Sequence, residues 1–148
     1  MSHGHGIATV LVIVISALLG VGAVPTPAMA ATCYGASCNA QDPQVAGCSS
    51  GATTLEGMSD SGYYLELRYS KACNAAWVRV TSEGYWSQTG GFRLERYSPS
   101  SYFSGSFVAG EAGTKWTRMY NFEYSLRGRL EVTNYSSGYH AVWYTGWH

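Results

Sequence analysis

Residues 63–70 read YYLELRYS, and the pattern of these eight residues indicates the fold class. The apolar side chains of Leu65 and Leu67 alternate with the charged side chains of Glu66 and Arg68. An alternation with period two predicts a β-strand that buries one face and leaves the other face to solvent. Because no stretch after residue 31 shows helical periodicity over three turns, the sequence predicts an all-β fold.

Further segments with β-forming and aromatic residues lie at 76–80, 92–94, 114–120, 126–132 and 139–147. Turn-forming Gly, Ser, Asn or Pro residues flank the alternating segments. Together with residues 63–70, these segments predict about six or seven short strands. Short antiparallel strands bury one face each and limit their exposed edges by closing into a small sandwich or barrel.

The first 30 residues are predicted to be a signal peptide. Residues 7–24 are apolar or small and uncharged, and prolines and the triplet Ala28-Met29-Ala30 follow them. This pattern predicts export with cleavage after Ala30. An uncleaved membrane anchor at residues 7–24 is the alternative, because such a run approaches the length of a spanning helix. Residues 31–62 are then predicted to be a disulfide-tied irregular loop, and residues 63–148 the β-rich body of the same domain.

Four cysteines, Cys33, Cys38, Cys48 and Cys73, follow the predicted cleavage site. An even number of cysteines in a short exported chain predicts a disulfide framework. Three connectivities are possible, and in each of them Cys73 pairs with one of the three N-terminal cysteines. A zinc site is the rival interpretation, but the spacing contains no C-x-x-C pair. We therefore predict two disulfides, no metal site and no cofactor.

The charge balance argues against nucleic acid as a partner. The chain has nine basic and nine acidic residues and a formal net charge of zero, whereas proteins that bind phosphate backbones carry a basic surplus. Aromatic residues are abundant, with twelve tyrosines and five tryptophans. Such a composition suits either a binding surface or a small aromatic core.

The cysteines and the first strand also carry a family resemblance. Residues 33–38 read CYGASC, then Asp42-Pro43 and Gly47-Cys48 follow, and LELRYS at residues 65–70 precedes Cys73, Ala76-Trp77 and Arg79. In order and spacing this pattern resembles the bacterial family catalogued as domain of unknown function 2690, over about residues 33–81. The resemblance implies an exported or extracytoplasmic domain with disulfides. It implies no catalytic residues, because the family has no established activity.

No catalytic signature is present in the predicted mature chain. Its two histidines, His140 and His148, lie outside any catalytic motif, and no G-x-S-x-G sequence occurs. A hydrolase using two carboxylates is the alternative function, with candidates Glu66, Glu95, Glu111, Glu123 and Glu131. Glu66, Glu95 and Glu131 have arginines nearby in the sequence, which favours charge pairing on a solvated strand face instead.

The candidate ligand-binding residues are Arg68, Trp77, Arg79, Trp86 and Trp143. Guanidinium groups beside an indole ring can hold a carboxylate, a sugar or a peptide, or they can support the loop near the disulfides. Trp147, Tyr85 and Tyr102 are further flat faces for a sugar ring, and Trp147 is predicted to share one strand face with Tyr139 and Trp143.

We interpret the chain as a secreted, non-enzymatic binding module for cell-wall polysaccharide or another extracellular polymer, or for a protein. A secreted enzyme inhibitor is a further alternative. It would present a rigid protruding loop, with the segment between Cys38 and Cys48 as the candidate.

Overall fold

The computed structural model describes residues 30–148. The predicted signal peptide, apart from Ala30, and the alternative anchor at residues 7–24 lie outside these residues. Within the described part of the chain, no helix is long and apolar enough to cross a membrane.

Residues 30–148 fold into nine β-strands and one short 3₁₀ turn at Gly35–Cys38. The all-β prediction is confirmed, with nine strands in place of six or seven. The strands are β1 Thr53–Asp60, β2 Tyr63–Ser70, β3 Ala75–Glu83, β4 Gln88–Arg96, β5 Ser101–Phe107, β6 Ala112–Trp116, β7 Tyr120–Asn121, β8 Leu126–Asn134 and β9 Tyr139–Tyr144.

The strands form two antiparallel sheets. The first sheet has the order β1-β2-β3-β6, with the short β7 also paired to β3. The second sheet has the order β5-β4-β8-β9. Hairpins join most neighbouring strands, and the β4 to β8 pairing brings together segments that are distant in sequence.

The two sheets pack face to face around one core. Leu65 and Leu67 of β2 and Val78 of β3 meet Phe92 of β4 and Leu130 of β8, and all five are at most 1% exposed. Burial of each such side chain contributes about 1.5–3 kcal/mol. The period-two pattern of β2 thus places its apolar side in a sandwich core, as predicted.

The prediction that residues 31–62 are entirely irregular is wrong for their last third, because residues 53–60 form β1. β1 is an edge strand whose pairing with β2 is irregular between Thr54 and Glu56. Its side chains are only partly buried, so its sequence lacks the clean alternation of β2. β5 was missed for the same reason: it is an edge strand with small residues such as Ser104 and Gly105.

Residues 31–52 cover the outer face of the first sheet and are tied by both disulfides. Cys33 pairs with Cys38, and Cys48 pairs with Cys73 at the β2 to β3 turn. The expectation that Cys73 binds an N-terminal cysteine is therefore confirmed. The bridges, Met119 and Trp77 form a second small core on the outer side of the first sheet.

We expect Gly105→Ala to destabilise the fold by about 1–3 kcal/mol, the usual cost of inserting a methyl group into a packed core. A Cβ at Gly105 in β5 would overlap with the ring of Phe92, which is 1% exposed. Gly91→Ala in the neighbouring β4 is the matched control, because a Cβ there meets no atom within 4 Å. Urea unfolding of both variants tests the difference, and equal stabilities would contradict close packing of Phe92 against Gly105.

Candidate functional site

The outer face of the second sheet carries arginines beside exposed aromatic rings. Along β4 and β8 the apolar side chains point into the core, so the alternate residues Arg93, Glu95, Arg127 and Arg129 point outward. The arginine-aromatic face is defined as Arg93, Arg127, Arg129, Tyr97, Tyr102, Tyr144 and Trp147.

Two of these arginines lie over aromatic rings. The guanidinium carbon of Arg93 is 4.4 Å from the ring centre of Tyr102. The guanidinium carbon of Arg127 is 4.1 Å from the ring centre of Tyr144 and 4.4 Å from that of Trp147. Cation-π contacts at these distances stabilise the side chains in fixed orientations. The face is therefore a preorganised surface.

The aromatic rings remain accessible on this face. Tyr97 is 68% exposed, Tyr102 53%, Tyr144 42% and Trp147 41%. Tyr97 and Trp147 meet edge to face, with ring centres 5.5 Å apart. Exposure of several large rings in one region is the usual mark of a binding surface.

An open cleft of about 380 Å³ lies at one end of the face. Its size falls within the range of small-ligand sites, roughly 300–1,000 Å³. It combines aromatic, cationic and hydroxyl groups, and its lining comprises Arg93, Glu95, Arg96, Tyr97, Ser100, Ser101, Tyr102, Arg127 and Trp147.

Trp147 lies on this face because the segment after β9 contains one residue more than regular pairing with β8 would require. Thr145 bonds to Gly128, and regular pairing would then place Trp147 opposite Leu126. Instead, Leu126 and His148 exchange both backbone hydrogen bonds. The extra residue forms a bulge, which turns the following side chain to the other face. The predicted common face of Tyr139, Trp143 and Trp147 is therefore wrong, since Trp147 lies with Arg127 on the outer side.

Carboxylates neutralise part of the charge on this face. Glu95 binds Arg127 at 2.8 Å, and Glu131 binds Arg129 at 2.8 Å. Hydrogen bonds from His140 and Arg129 lower the pKa of Glu131. Burial alone would lower the pKa of Arg129, but its hydrogen bonds to Tyr144 and Glu131 outweigh burial and raise that pKa. Glu131 and Arg129 are therefore both charged at neutral pH.

Three of the sequence candidates, Arg68, Trp77 and Arg79, lie on the outer face of the first sheet. Trp77 is only 2% exposed, because the disulfide-tied loop covers its ring. Arg79 binds both carboxylate oxygens of Glu66, at 2.6 and 2.8 Å. Arg68 donates to the Ala52 carbonyl oxygen and to the Thr54 hydroxyl, each at 2.7 Å. These contacts are internal to the domain and hold the loop against the sheet.

The expectation of a solvated face for Glu66 is wrong. Glu66 is only 5% exposed, although its side chain points away from the core residues Leu65 and Leu67 of β2. The N-terminal loop packs on this second face, so both sides of β2 are covered there. Glu95 pairs with Arg127 of the neighbouring strand and not with an arginine nearby in the sequence.

Trp86 and Trp143 lie apart from these residues and from each other. Trp86 is 85% exposed in the loop between β3 and β4, where its ring lies against Gly110. Trp143 is 41% exposed and lies opposite Leu130 on the inward side of the edge strand β9. The five candidate residues therefore do not form one site.

The five candidate catalytic carboxylates are each bonded within the domain. Their partners are Arg79 for Glu66, Arg127 for Glu95, Lys115 for Glu111, Asn121 for Glu123 and Arg129 for Glu131. Two of these contacts, Glu66 with Arg79 and Glu95 with Arg127, are ion pairs between directly opposite residues of neighbouring strands, which is typical of structural charge pairing. They favour the structural interpretation of these residues over a hydrolase site.

The segment between Cys38 and Cys48 lies against the first sheet. Its Asp42 accepts a hydrogen bond from the indole nitrogen of Trp116 at 3.0 Å, and its Ala40 amide donates to the Met119 carbonyl at 2.9 Å. These hydrogen bonds hold the segment against the sheet. It therefore differs from the protruding loop expected of an inhibitor.

The four cysteine sulfurs lie within 4.8 Å of one another. Zinc is bound by thiolates, and here the sulfurs are joined in two disulfides. This oxidation state provides no thiolate ligands.

Sequence reasoning missed Arg93, Arg127, Arg129, Tyr97 and Tyr144 and named only Tyr102 and Trp147 of this face. The available signal was the outward register of the two central strands, where charged residues occupy alternate positions: Arg93 and Glu95 on β4, and Arg127, Arg129 and Glu131 on β8. That register was interpreted as a solvated charged face. The neighbouring rings come from other strands, so their proximity was not visible in the sequence.

No curated protein and no solved structure matches this chain. One family, described as Protein of unknown function (DUF2690), matches residues 36–125. The match extends well past residue 81 and includes Arg93, Tyr97 and Tyr102 of the arginine-aromatic face, while Arg127, Tyr144 and Trp147 follow it. Because the matched residues make up more than half of the chain, the chain belongs to this DUF2690 family of proteins of unknown function.

Proposed function

We propose that this chain is exported and acts outside the cell as a non-enzymatic module that binds a polysaccharide through the arginine-aromatic face. The observation that carries the proposal is the grouping of four exposed aromatic rings with three arginines on one side of a rigid sheet. Flat rings stack on the apolar faces of sugars, and arginines donate hydrogen bonds to sugar oxygens.

Three further observations support the proposal. Disulfides are stable in oxidising compartments, which suits a protein that works outside the cell. The carboxylates on and near the face are held in ion pairs with arginines, so they serve to orient the arginines. The apolar run at residues 7–24 supplies the route of export.

We expect Trp147→Ala to weaken retention on the bound polysaccharide by at least tenfold. Truncation of a central aromatic residue in a binding surface commonly costs more than about 1–2 kcal/mol, and about 1.4 kcal/mol corresponds to tenfold. The oxidised protein is recovered from the medium of a secreting host, and its intact mass shows whether it begins at Ala31. Pull-down curves are then measured on cell-wall sacculi, cellulose and chitin.

Trp86→Ala is the matched control, because Trp86 is the more exposed tryptophan and lies outside the face. It is expected to bind like the unmodified protein. Equal loss of retention in both variants would contradict the proposed site. Retention of the protein in the membrane fraction with its first 24 residues would contradict export of a cleaved form.

A further inference from the structure

Two arginines of the arginine-aromatic face lie directly opposite each other. Arg93 of β4 pairs in register with Arg129 of β8, and both side chains point outward. Side chains at opposite positions of antiparallel strands have Cβ atoms about 4.5–5.5 Å apart, and like charges there repel. Glu131 neutralises Arg129 in part, and an anion bound between the two guanidinium groups would offset the repulsion that remains.

Arg93 has no carboxylate partner among residues 30–148. The other two arginines of the face bind Glu95 and Glu131, whereas Arg93 lies over the ring of Tyr102. The charges of the three arginines and the two carboxylates therefore sum to one net positive charge at this site. The ring of Tyr102 orients the Arg93 guanidinium and leaves its hydrogen-bond donors available to a ligand.

Aromatic rings flank the arginine pair on both sides. Tyr144 lies opposite Arg129 on β9, and Tyr102 lies on β5, on the other side of Arg93. A sugar that stacks on one of these rings brings its substituents next to a guanidinium group. Guanidinium groups bind planar carboxylates through two parallel hydrogen bonds.

We propose, on the basis of the function proposed above, that the ligand is an acidic polysaccharide whose sugar carboxylates bind between Arg93 and Arg129. The aromatic rings bind the sugar faces, and the arginine pair selects the charged group. The interaction is electrostatic in part, so it weakens as ionic strength increases.

The test uses polygalacturonate and its methyl ester, which share a backbone and differ in charge. Titration calorimetry of the oxidised protein at low salt is expected to give at least tenfold tighter binding of the acid than of the ester. Arg93→Gln is expected to reduce acid binding at least tenfold, to the level of the ester, since it removes the unpaired charge. Lys71→Gln is the matched control, because it removes one positive charge from the exposed turn after β2 and leaves acid binding unchanged.

The outcomes separate this inference from the proposed function. Equal binding of acid and ester, or an Arg93→Gln variant that retains the preference, overturns the acidic ligand and leaves a polysaccharide module in place. Equal binding of polyglutamate and polygalacturonate overturns the sugar part of the inference. If the protein binds neither polygalacturonate form and is not retained on sacculi, cellulose or chitin, the inference and the proposed function both fail.

Discussion

Glu66→Ala is expected to lower the free energy of unfolding by about 3 kcal/mol, near the lower end of the cost of breaking a buried ion pair. Glu66 is 5% exposed and binds Arg79 through both carboxylate oxygens. The Arg68 side chain, 14% exposed, lies 3.5 Å from the same carboxylate and would lose its counter-charge. The Arg79 side chain is 36% exposed and can turn to water, which limits the loss.

Urea unfolding of Glu66→Ala and Glu131→Ala tests this expectation. Glu131 also binds an arginine, but its side chain is 36% exposed. Exposed pairs contribute roughly 0–1 kcal/mol, so this control is expected to change stability little. Similar losses of unfolding free energy in the two variants would show that the contribution of Glu66 to stability does not come from its burial.

The same carboxylate predicts a dependence of stability on pH. Burial acts to raise the pKa of Glu66, but hydrogen bonds from Arg79 and Thr54 and the charges of both arginines lower it overall below its usual 4.5. A lowered folded-state pKa contributes stability that is present above the unfolded value and is lost as pH falls through the folded value. Glu66→Gln is expected to remove this acid-side loss, and an unchanged pH profile would argue against the ion pair.

Removal of the Cys48–Cys73 bridge by a double substitution to Ala is expected to cost about 3.5 kcal/mol. The bridge closes a loop with a sequence separation of 25 residues, and the entropy of loop closure in the unfolded chain accounts for that cost. The bridge also holds the N-terminal loop over Trp77, which is 2% exposed. We therefore expect a red shift of tryptophan emission in the variant together with the loss of stability.

The matching control replaces Cys33 and Cys38. Their bridge spans a separation of only 5 residues, so the same relation gives about 2 kcal/mol. Denaturant titration of both double variants under identical conditions measures the difference between the two stability costs. A larger cost for Cys33 and Cys38 than for Cys48 and Cys73 would overturn the entropic explanation.

Four features could be predicted from local sequence alone: the all-β class, the strand at residues 63–70, the two disulfides and the pairing of Cys73 with an N-terminal cysteine. These features depend on local alternation, turn residues and the chemistry of cysteine in an oxidising compartment. They are properties of single segments or of composition. The edge strands β1 and β5 were harder to recognise, because partly exposed strands tolerate Gly and Ser and lose the alternating pattern.

The burial of polar strand faces and the grouping of residues at a surface depend on how distant segments pack together. Glu66 is buried because a loop from another part of the chain covers its strand face. Arg93 faces Arg129 through a pairing between β4 and β8, and Trp147 joins them through a bulge that shifts side chains by one residue. Long-range register and loop packing depend on contacts between distant segments, which local periodicity does not encode.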